Sequence, residues 1–419
     1  MQYTLLNKMA NKRKIINDPV HGFITIPTDL VFDLIQHPYF QRLRRIKQLG
    51  LTHLVYPGAL HTRFQHALGA MHLMMSALSV LKTKGIKISD KEYEAACIAI
   101  LLHDIGHGPF SHVLEDTIIN DVKHEELSRL IMNRLNIHTE NAITDAIAIF
   151  ENSYPAGFFH QLVSGQLDMD RIDYLRRDSF YSGVSEGTIG SERIIKMLNV
   201  VDDKLVIEAK GIYSIEKFLV ARRFMYWQVY LHKTALAAEL MLKSILKRAR
   251  TLALSNRELY APPQLRFFLE NNIGYEDFMH DPKALDNFML LDDDDIMSSI
   301  KNWMDSDDHI LSQLAGDFIN RTLFHIELRN TPFTQEKISA IKKAVKKAYN
   351  LKNEEECDYL TYSGSISNNT YSTDDENINI LYNNNNLKDI TEASDMLNIS
   401  VLGKISRKHY LSYPKSIAL

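Results

Sequence analysis

Three histidines and an aspartate, at His103, Asp104, His107 and His112, lie within ten residues of one another after an apolar run. Residues 95–100 of that run read as a buried helix. Burying polar or charged groups is costly unless they are paired, hydrogen-bonded or bound to metal. A turn rich in glycine and proline then returns the chain toward the same end. The stretch predicts half of a metal site together with a proton-transfer group. The alternative interpretation is a set of histidines that cap helices or pack in the core.

Two further segments offer groups for the same site. His66 begins a second apolar helix, where a lone histidine can also be a cap, and the neighbouring Arg63 favours phosphate binding. On a helix, Asp170, Tyr174 and Asp178 would form one stripe at four-residue spacing. That stripe is either the solvent-exposed side of a surface helix or part of a functional site. Asp168, Asp170 and Asp173 crowd three carboxylates into six residues, which is destabilising unless a bound cation or arginines neutralise them.

Collected, these residues suggest metal-assisted phosphate chemistry. The candidate ligands are His66, His103, Asp104 and Asp170. Two imidazoles and two carboxylates suit one divalent ion such as Mn, Fe, Zn or Ni, with Mg not distinguished from them. Such an ion polarises a phosphoryl oxygen and lowers the pKa of bound water to about 7.

The cations and aromatic residues around these ligands point to a polyphosphate substrate. A long helix predicted over 215–254 places Arg222, Tyr226 and Tyr230 on one face, either as a half-buried stripe or as a wall for a phosphorylated, ring-bearing ligand. Arg171 adds another cation, and His112 is the candidate general acid or base. The chain has no Walker A loop and no nucleophile elbow. Phosphate-ester or phosphoanhydride hydrolysis is therefore favoured over acyl transfer.

The composition is that of an ordinary soluble protein. The 419 residues are 24% charged and 45% hydrophobic, with a formal net charge of −4, so nucleic acid would have to be bound by a local patch. The two cysteines, Cys97 and Cys357, predict a reducing compartment without disulfides. No apolar run reaches 18 residues and no signal peptide is evident, so we expect a cytoplasmic protein without membrane contact.

Composition shifts predict a mainly α protein with a helical core and a smaller α+β C-terminal lobe. A strand is expected at 323–328, a basic helix at 335–350, and loops over the Asn-rich residues 352–389. The expected divisions are an N-terminal extension (1–13), a hydrolase core (14–260), a C-terminal lobe (261–350), an Asn/Ser/acidic segment (351–390) and a final segment packed on the lobe (391–419).

The order His…His-Asp…Asp resembles that of the HD-domain metal-dependent phosphohydrolases. Its surroundings are similar to those of the deoxynucleoside triphosphate triphosphohydrolase (dNTPase) branch, which includes the human SAM-and-HD-domain enzyme and bacterial relatives. The matching segments run in order over residues 14–260, and the C-terminal third matches weakly. They are 16–22, 40–44, 46–50, 64–66, 103–112, 168–174 and 177–178.

The resemblance implies a role for each group. It implies an HD-domain fold for the core and the same four metal ligands. Proton transfer and phosphate contact would fall to His112 and His107, supported by Glu115 and His124. The triphosphate would be held by Arg63, Arg171 and Arg222.

The resemblance also implies a dGTPase-like reaction on deoxynucleoside triphosphates (dNTPs). Tyr174, Asp178 and Gln48 would read the 3′ side of the sugar, and Tyr174 would crowd the 2′ position. Tyr226 and Tyr230 would line the base end, where several bases are tolerated. The products would be a deoxynucleoside and inorganic triphosphate.

Family members form homo-oligomers, dimers or tetramers, that a nucleotide can activate, sometimes with bound Mg. Lys14, Asn17, Gln41 and Arg44 match the positions that hold the activator in the human enzyme. Gln36 replaces the acidic residue that reads guanine there. An amide cannot accept both guanine N–H donors, which argues against GTP-specific activation and leaves another nucleotide open.

Two other functions remain open at this stage. The first is an HD phosphohydrolase acting on another nucleotide or phosphoester, although the Glu-Asp pair of (p)ppGpp hydrolases and the Gly-Tyr-Pro motif of the cyclic-di-GMP branch are missing. The second is a non-catalytic binder of nucleotides or single-stranded nucleic acid, served by the basic segments 243–250 and 342–347. The complete metal quartet and His112 favour catalysis.

Overall fold

Helices dominate the fold, which confirms the predicted mainly α class with a smaller α+β lobe. The structure is a computed structural model that describes residues 14–110, 113–114, 117–368, 371, 377–383, 385–395 and 406–417. Up to residue 254 the helices are α1 (Asp29–Gln36), α2 (Pro38–Gln41), α3 (Arg63–Thr83), α4 (Asp90–Leu102), α5 (His124–His138), α6 (Thr144–Phe150), α7 (Phe158–Val163), α8 (Met169–Ser182), α9 (Ser191–Met197), α10 (Ile212–Met225) and α11 (Lys233–Leu254).

The later helices are shorter, and the described strands form four small sheets. The helices are α12 (Pro263–Glu270), α13 (Tyr275–His280), α14 (Pro282–Phe288), α15 (Asp293–Trp303), α16 (His309–Ile319), α17 (Gln335–Ala348), α18 (Glu354–Cys357) and α19 (Ile390–Ala393). The strands are β1 (Ile15–Asp18), β2 (Gly22–Thr25), β3 (Ile119–Asn120), β4 (Leu198–Val201), β5 (Lys204–Glu208), β6 (Ile273–Gly274), β7 (His325–Arg329), β8 (Tyr362–Asn368), β9 (Asn379–Leu381), β10 (Leu387–Asp389) and β11 (Ser406–Tyr413).

Helices α3, α4 and α8 pack together at the centre of the core. Helix α4 begins with a reciprocal cap, in which the Ser89 N–H donates to Glu92 Oε2 at 2.8 Å and the Glu92 N–H donates to Ser89 Oγ at 3.2 Å. Residues 95–102 are all buried, which confirms the predicted buried helix. Helices α3 and α8 approach closely at Gly69, where an added Cβ would lie 2.1 Å from Asp173 Oδ1. Only glycine leaves room there for the polar groups of α8.

Two larger sheets include the strands of the C-terminal part. One has the order β10-β9-β5-β4, with β5 and β9 parallel and the other pairs antiparallel, and the other is antiparallel with the order β7-β11-β8. The expectation of loops over 352–389 is therefore wrong in the described part, because β8, β9 and β10 lie within it. Their partners are distant in sequence (β11 for β8, β5 for β9), so local composition carries no sign of the pairing. The predicted basic helix is confirmed as α17, and the strand as β7.

The predicted continuous helix over 215–254 is wrong. Helix α10 ends at Met225, a π-helical turn covers Tyr226–Tyr230, and α11 begins only at Lys233. His232 caps α11, since its Nδ1 accepts the N–H of Thr234 at 3.1 Å. No glycine or proline marks the break, which is why the pattern missed it. Such π-turns are frequent at functional sites.

The basic stretch 42–47 lies against the start of α15. Arg45 pairs with Asp292, and Lys47 Nζ lies 3.3 Å from Asp293 Oδ2. The buried Arg42 donates through Nε to the Leu291 carbonyl at 2.7 Å. Two of the cations are thus paired with carboxylates at the start of α15. None of the helices in the described residues is both long enough and apolar enough to cross a membrane.

Candidate metal centre and active site

Three side chains from three helices converge at the centre of the core. His66 lies in the first turn of α3, His103 directly follows α4, and Asp170 lies in the first turn of α8. Their ligand atoms all lie within 4.8 Å of one another. Asp170 Oδ1 is 3.1 Å from His66 Nε2 and 3.6 Å from His103 Nε2. The structure therefore brings together three of the four predicted ligands.

The second ring nitrogen of each histidine fixes which nitrogen faces the centre. His66 Nδ1 lies 2.8 Å from Asp173 Oδ2, and His103 Nδ1 lies 2.6 Å from the Ile100 carbonyl oxygen. Both oxygens are acceptors, so Nδ1 carries a proton in each ring. This is the arrangement that orients histidine ligands of metal ions.

Among the described residues, the Nε2 atoms of His66 and His103 are buried and have no hydrogen-bond partner, although the Asp170 carboxylate is nearby. Two imidazole nitrogens and a carboxylate oxygen suit a mid-row divalent ion. Burial lowers the pKa of His66, but the carboxylates of Asp170 and Asp173 outweigh it and raise the pKa to about 10. A buried site that attracts a proton so strongly also fits a metal cation.

Asp104, the fourth predicted ligand, borders this centre and faces other partners. Its Oδ2 accepts from Arg63 Nη1 at 2.5 Å and lies 3.8 Å from His66 Nε2. Its Oδ1 lies 3.3 Å from the Nε2 atoms of both His103 and His107. Burial would raise the pKa of Asp104, but His103, His107 and Arg63 hold it well below its usual value. The carboxylate is thus ionised, and its role as a ligand stays a prediction.

A pair of stacked histidines adjoins the centre. The rings of His107 and His124 lie 3.8 Å apart and nearly parallel. Burial, with the nearby Arg63, lowers the pKa of His107 well below its usual value, so its ring is neutral. The other two residues predicted for proton transfer, His112 and Glu115, lie outside the described residues.

The three predicted phosphate-binding arginines have different surroundings. Arg63 is held by Asp104, and Arg171 donates through Nε to Asp168 and to the Gly165 carbonyl. Arg222 is only 6% exposed, donates to the neutral Gln166 Oε1 at 3.4 Å, and forms no ion pair with the described residues. A buried guanidinium without a counter-ion favours binding of an anion.

The predicted tyrosines form an aromatic cluster beside Arg222. Tyr230 packs edge-on against Tyr174 and Tyr226, with ring centroids 5.9 and 5.3 Å apart. The Tyr230 hydroxyl donates to Asp178 Oδ2 at 2.8 Å. Arg222 lies over the Tyr226 ring at 5.8 Å. The π-helical turn is what brings these rings and the guanidinium together.

His61 contacts two predicted substrate residues, and sequence reasoning missed it. Its Nε2 lies 2.7 Å from Asp178 Oδ1, and its backbone carbonyl accepts the N–H of Gln48 at 3.0 Å. Gln48 Oε1 is buried without a hydrogen-bond partner. The position of His61, two residues before Arg63, was the available signal.

A second buried group of charges, which we call the ionic cluster, comprises Asp18, His21, Asp173 and Arg177. Arg177 donates to Asp173 Oδ2 at 2.9 Å and to Asp18 Oδ2 at 2.8 Å. His21 Nε2 lies 2.6 Å from Asp173 Oδ1. Asp173 also contacts His66, so this cluster supports the metal centre.

Only some of the residues predicted to bind an activating nucleotide form hydrogen bonds with one another. Arg44 Nε donates to Gln41 Oε1 at 2.8 Å, and Gln41 Nε2 donates to the Ile35 carbonyl at 2.7 Å. Lys14, Asn17 and Gln36 are exposed. A nucleotide site at these positions stays a prediction.

Comparison with known proteins places this geometry in a family. The HD domain model matches residues 63–178, and the HD associated region matches 189–262. The crystal structure of a phosphohydrolase from Bacteroides thetaiotaomicron has a TM-score of 0.93 and 54% sequence identity, covering 96% of this chain and 100% of that one.

Two sequence relatives extend the comparison. The uncharacterized protein YwfO of Bacillus subtilis is 33% identical, over 98% of this chain and 94% of its own length. A deoxynucleoside triphosphate triphosphohydrolase SAMHD1 homolog of Dictyostelium discoideum is 32% identical, over 55% of this chain and 48% of its own length. The chain thus spans about half of that relative. With these matches and the His–His–Asp centre, the chain belongs to the family of HD-domain phosphohydrolases.

Proposed function

We propose that the protein hydrolyses deoxynucleoside triphosphates to a deoxynucleoside and inorganic triphosphate. The observation that carries this proposal is the juxtaposition of the His66–His103–Asp170 centre with Arg222, a buried cation without a carboxylate partner, and the tyrosine cluster. A cation next to aromatic rings suits a substrate that has both a polyphosphate and a base. Relatives named as deoxynucleoside triphosphate triphosphohydrolases support the same substrate class.

In this proposal His66, His103 and Asp170 hold one divalent ion, with Asp104 completing the set. When bound, the ion would polarise a phosphoryl oxygen and lower the pKa of a water molecule. Arg222 would bind the phosphate chain opposite it. Neutral His107 would contact the phosphate, and proton transfer would fall to the predicted His112.

The sugar would be read by Asp178, Tyr174 and Gln48. Asp178 is held between His61 and Tyr230, and its carboxylate can accept a bond from a sugar hydroxyl that displaces Tyr230. Gln48 offers a buried amide oxygen that lacks a donor. Tyr174 packs against Tyr230 and would exclude a 2′-hydroxyl by its bulk. We extend the proposal to a homo-oligomer in which a nucleotide bound near Gln41 and Arg44 activates turnover.

The test is a product analysis. The purified protein is incubated with Mn²⁺ and each dNTP and ribonucleoside triphosphate, singly and in pairs, and the products are separated. We expect deoxynucleoside and intact triphosphate from dNTPs, with faster turnover in nucleotide pairs. Arg222→Gln should raise KM for the triphosphate, whereas Arg223→Gln, a change of the adjacent and more exposed arginine, serves as the matched control.

Three outcomes would contradict the proposal. Orthophosphate or pyrophosphate as the product would indicate cleavage at another bond. Preference for a ribonucleotide would refute the role of Tyr174. Nucleotide binding without turnover in any pair would identify a non-catalytic binder.

A further inference from the structure

A cavity of about 670 Å³ lies between α11 and α17, away from the metal centre. We call it the basic groove, and Lys247, Arg250 and Leu254 of α11 form one wall. Lys342 of α17 lies on the opposite wall, and Thr361 lies next to β8. The volume is within the range typical of small-molecule sites. No residue of the groove belongs to the metal centre or its surroundings.

The groove joins two basic segments that are about ninety residues apart in sequence. Lys247 and Arg250 are one turn apart on α11, with Leu254 a further turn along the same face. Lys342 belongs to the second basic segment, on α17. These segments gave the sequence-based suggestion of nucleic-acid binding, and the structure places one face of each beside the same cavity.

The charge of the groove is only partly neutralised. Lys247 is exposed and forms no ion pair with the described residues. Arg250 donates only to neutral groups, the Thr117 carbonyl at 2.9 Å and the Asn272 Oδ1 at 2.8 Å among them. Lys342 Nζ lies 2.5 Å from Asp358 Oδ1. With Glu355 also on the wall, three cations face two carboxylates, and the excess positive charge lies on the α11 side.

The groove also has an unsatisfied polar atom. Thr361 is 6% exposed, and its hydroxyl oxygen is buried without a hydrogen-bond partner. Buried hydroxyls are normally paired, so an unpaired one calls for an explanation such as a ligand. A ligand oxygen bound between the two walls would accept a hydrogen bond from this hydroxyl. Lys247 would neutralise the negative charge of the ligand.

We propose that the basic groove is a second anion site, which binds the phosphate group of a small phosphorylated ligand. Lys247 and Arg250 supply the charge, and Thr361 a hydroxyl donor. The phosphate could belong to a nucleotide or to an inorganic polyphosphate.

The test is a calorimetric titration at low ionic strength with adenosine 5′-monophosphate and, separately, inorganic tripolyphosphate. It uses the full chain carrying His103→Ala and Arg222→Gln, which remove a proposed metal ligand and the proposed phosphate-binding arginine of the active site, so that the result does not depend on the proposed reaction. We expect one equivalent of ligand to bind, with Kd raised at least about tenfold by Lys247→Glu, which reverses a charge that contacts the phosphate. Lys343→Glu, an exposed neighbour that does not line the groove, is the matched control. Binding of only one of the two probes identifies the source of the phosphate.

Thr361→Val supplies an independent measurement. The variant removes the unpaired hydroxyl, so the ligand-free protein should be as stable as the wild type or more stable, while binding weakens. No binding of either probe, or equal loss in Lys247→Glu and Lys343→Glu, would overturn the proposal. Binding of a thymidine decanucleotide that depends on Lys247, without binding of either small probe, would replace it with a nucleic-acid site.

Discussion

The metal centre and the ionic cluster are neighbouring groups of buried charges that differ in one respect. Both lie between α3 and α8, and both include contacts of His66. In the ionic cluster, Arg177 forms hydrogen bonds to both oxygens of Asp18 and of Asp173. At the metal centre, the Nε2 atoms of His66 and His103 form no hydrogen bond.

This difference separates a structural role from a ligand-binding one. A buried ion pair whose polar atoms are satisfied by one another needs nothing further. Buried lone pairs that converge without donors are costly unless a cation binds there. Residue types alone do not distinguish the two groups, since each contains histidine and aspartate. The distinction is in the hydrogen bonds.

The largest effect should follow from removing a ligand at the metal centre. His103→Ala should reduce turnover by roughly 10³-fold or more, because a bound metal supplies several kcal/mol of transition-state stabilisation. The unfolding temperature should fall less than in variants of the ionic cluster, because Nε2 of His103 forms no hydrogen bond and only the bond from Nδ1 to the Ile100 carbonyl is lost. Steady-state kinetics and thermal unfolding measure the two effects. Substantial activity in this variant would show that the metal centre, like the ionic cluster, has no catalytic role.

The reverse pattern is expected in the ionic cluster. Arg177→Met should lower the free energy of unfolding by about 3–5 kcal/mol, because Asp18 and Asp173 would be left as unpaired buried charges. Denaturant unfolding measures this change, with Arg176→Met as a more exposed control on the same helix. A loss below about 1 kcal/mol, the usual size for surface pairs, would show that the cluster is not structural.

Asp173 belongs to both groups and should affect both properties. Asp173→Asn should weaken metal binding by about 10–100-fold, because the carboxylate orients His66 and increases its basicity. Asp18→Asn is the matched control, since Asp18 contacts Arg177 and not His66. It should lower stability without changing metal affinity. Equal metal affinity in the two variants would contradict the supporting role of Asp173.

The smallest effect concerns a histidine outside both groups. Burial, with nearby His138, lowers the pKa of His37 from 6.5 to about 4. Protonation therefore favours the unfolded chain, so stability is complete above pH 6.5 and is lost as pH falls toward 4. We expect a loss of about 1–2 kcal/mol, because solvent screens this half-exposed site.

His37→Asn should reduce that slope in a series of unfolding curves between pH 7 and 4. Asparagine can keep the cap that His37 Nδ1 forms with the Tyr39 N–H. An unchanged slope would assign the acid sensitivity to other groups.

The sequence predicted which residues carry the chemistry better than it predicted which residues contact one another. His66 and His103 were identifiable because histidines are rare in apolar helices, and Asp170 because it forms a polar stripe on α8; the structure brings the three together. The roles of Asp173 and His61 were missed because they depend on partners that are distant in the sequence. Asp173 bonds to His66 across 107 positions, and His61 bonds to Asp178 across 117.

Local pattern also failed where distant contacts determine the structure. The π-helical turn at Tyr226–Tyr230 has no glycine or proline to mark it, although it positions the aromatic cluster. Arg45 and Lys47 pair with Asp292 and Asp293, which lie some 250 residues away in the sequence. The fold class, by contrast, follows from helical periodicity and was confirmed.

The central claim is that the unpaired nitrogens of His66 and His103 mark a metal site. The most direct test is calorimetric titration of Mn²⁺ into metal-free wild-type protein, His103→Ala and Asp18→Asn. We predict one equivalent of metal for the wild type and for Asp18→Asn, and no binding to His103→Ala. Equal stoichiometry and affinity in His103→Ala would contradict the claim.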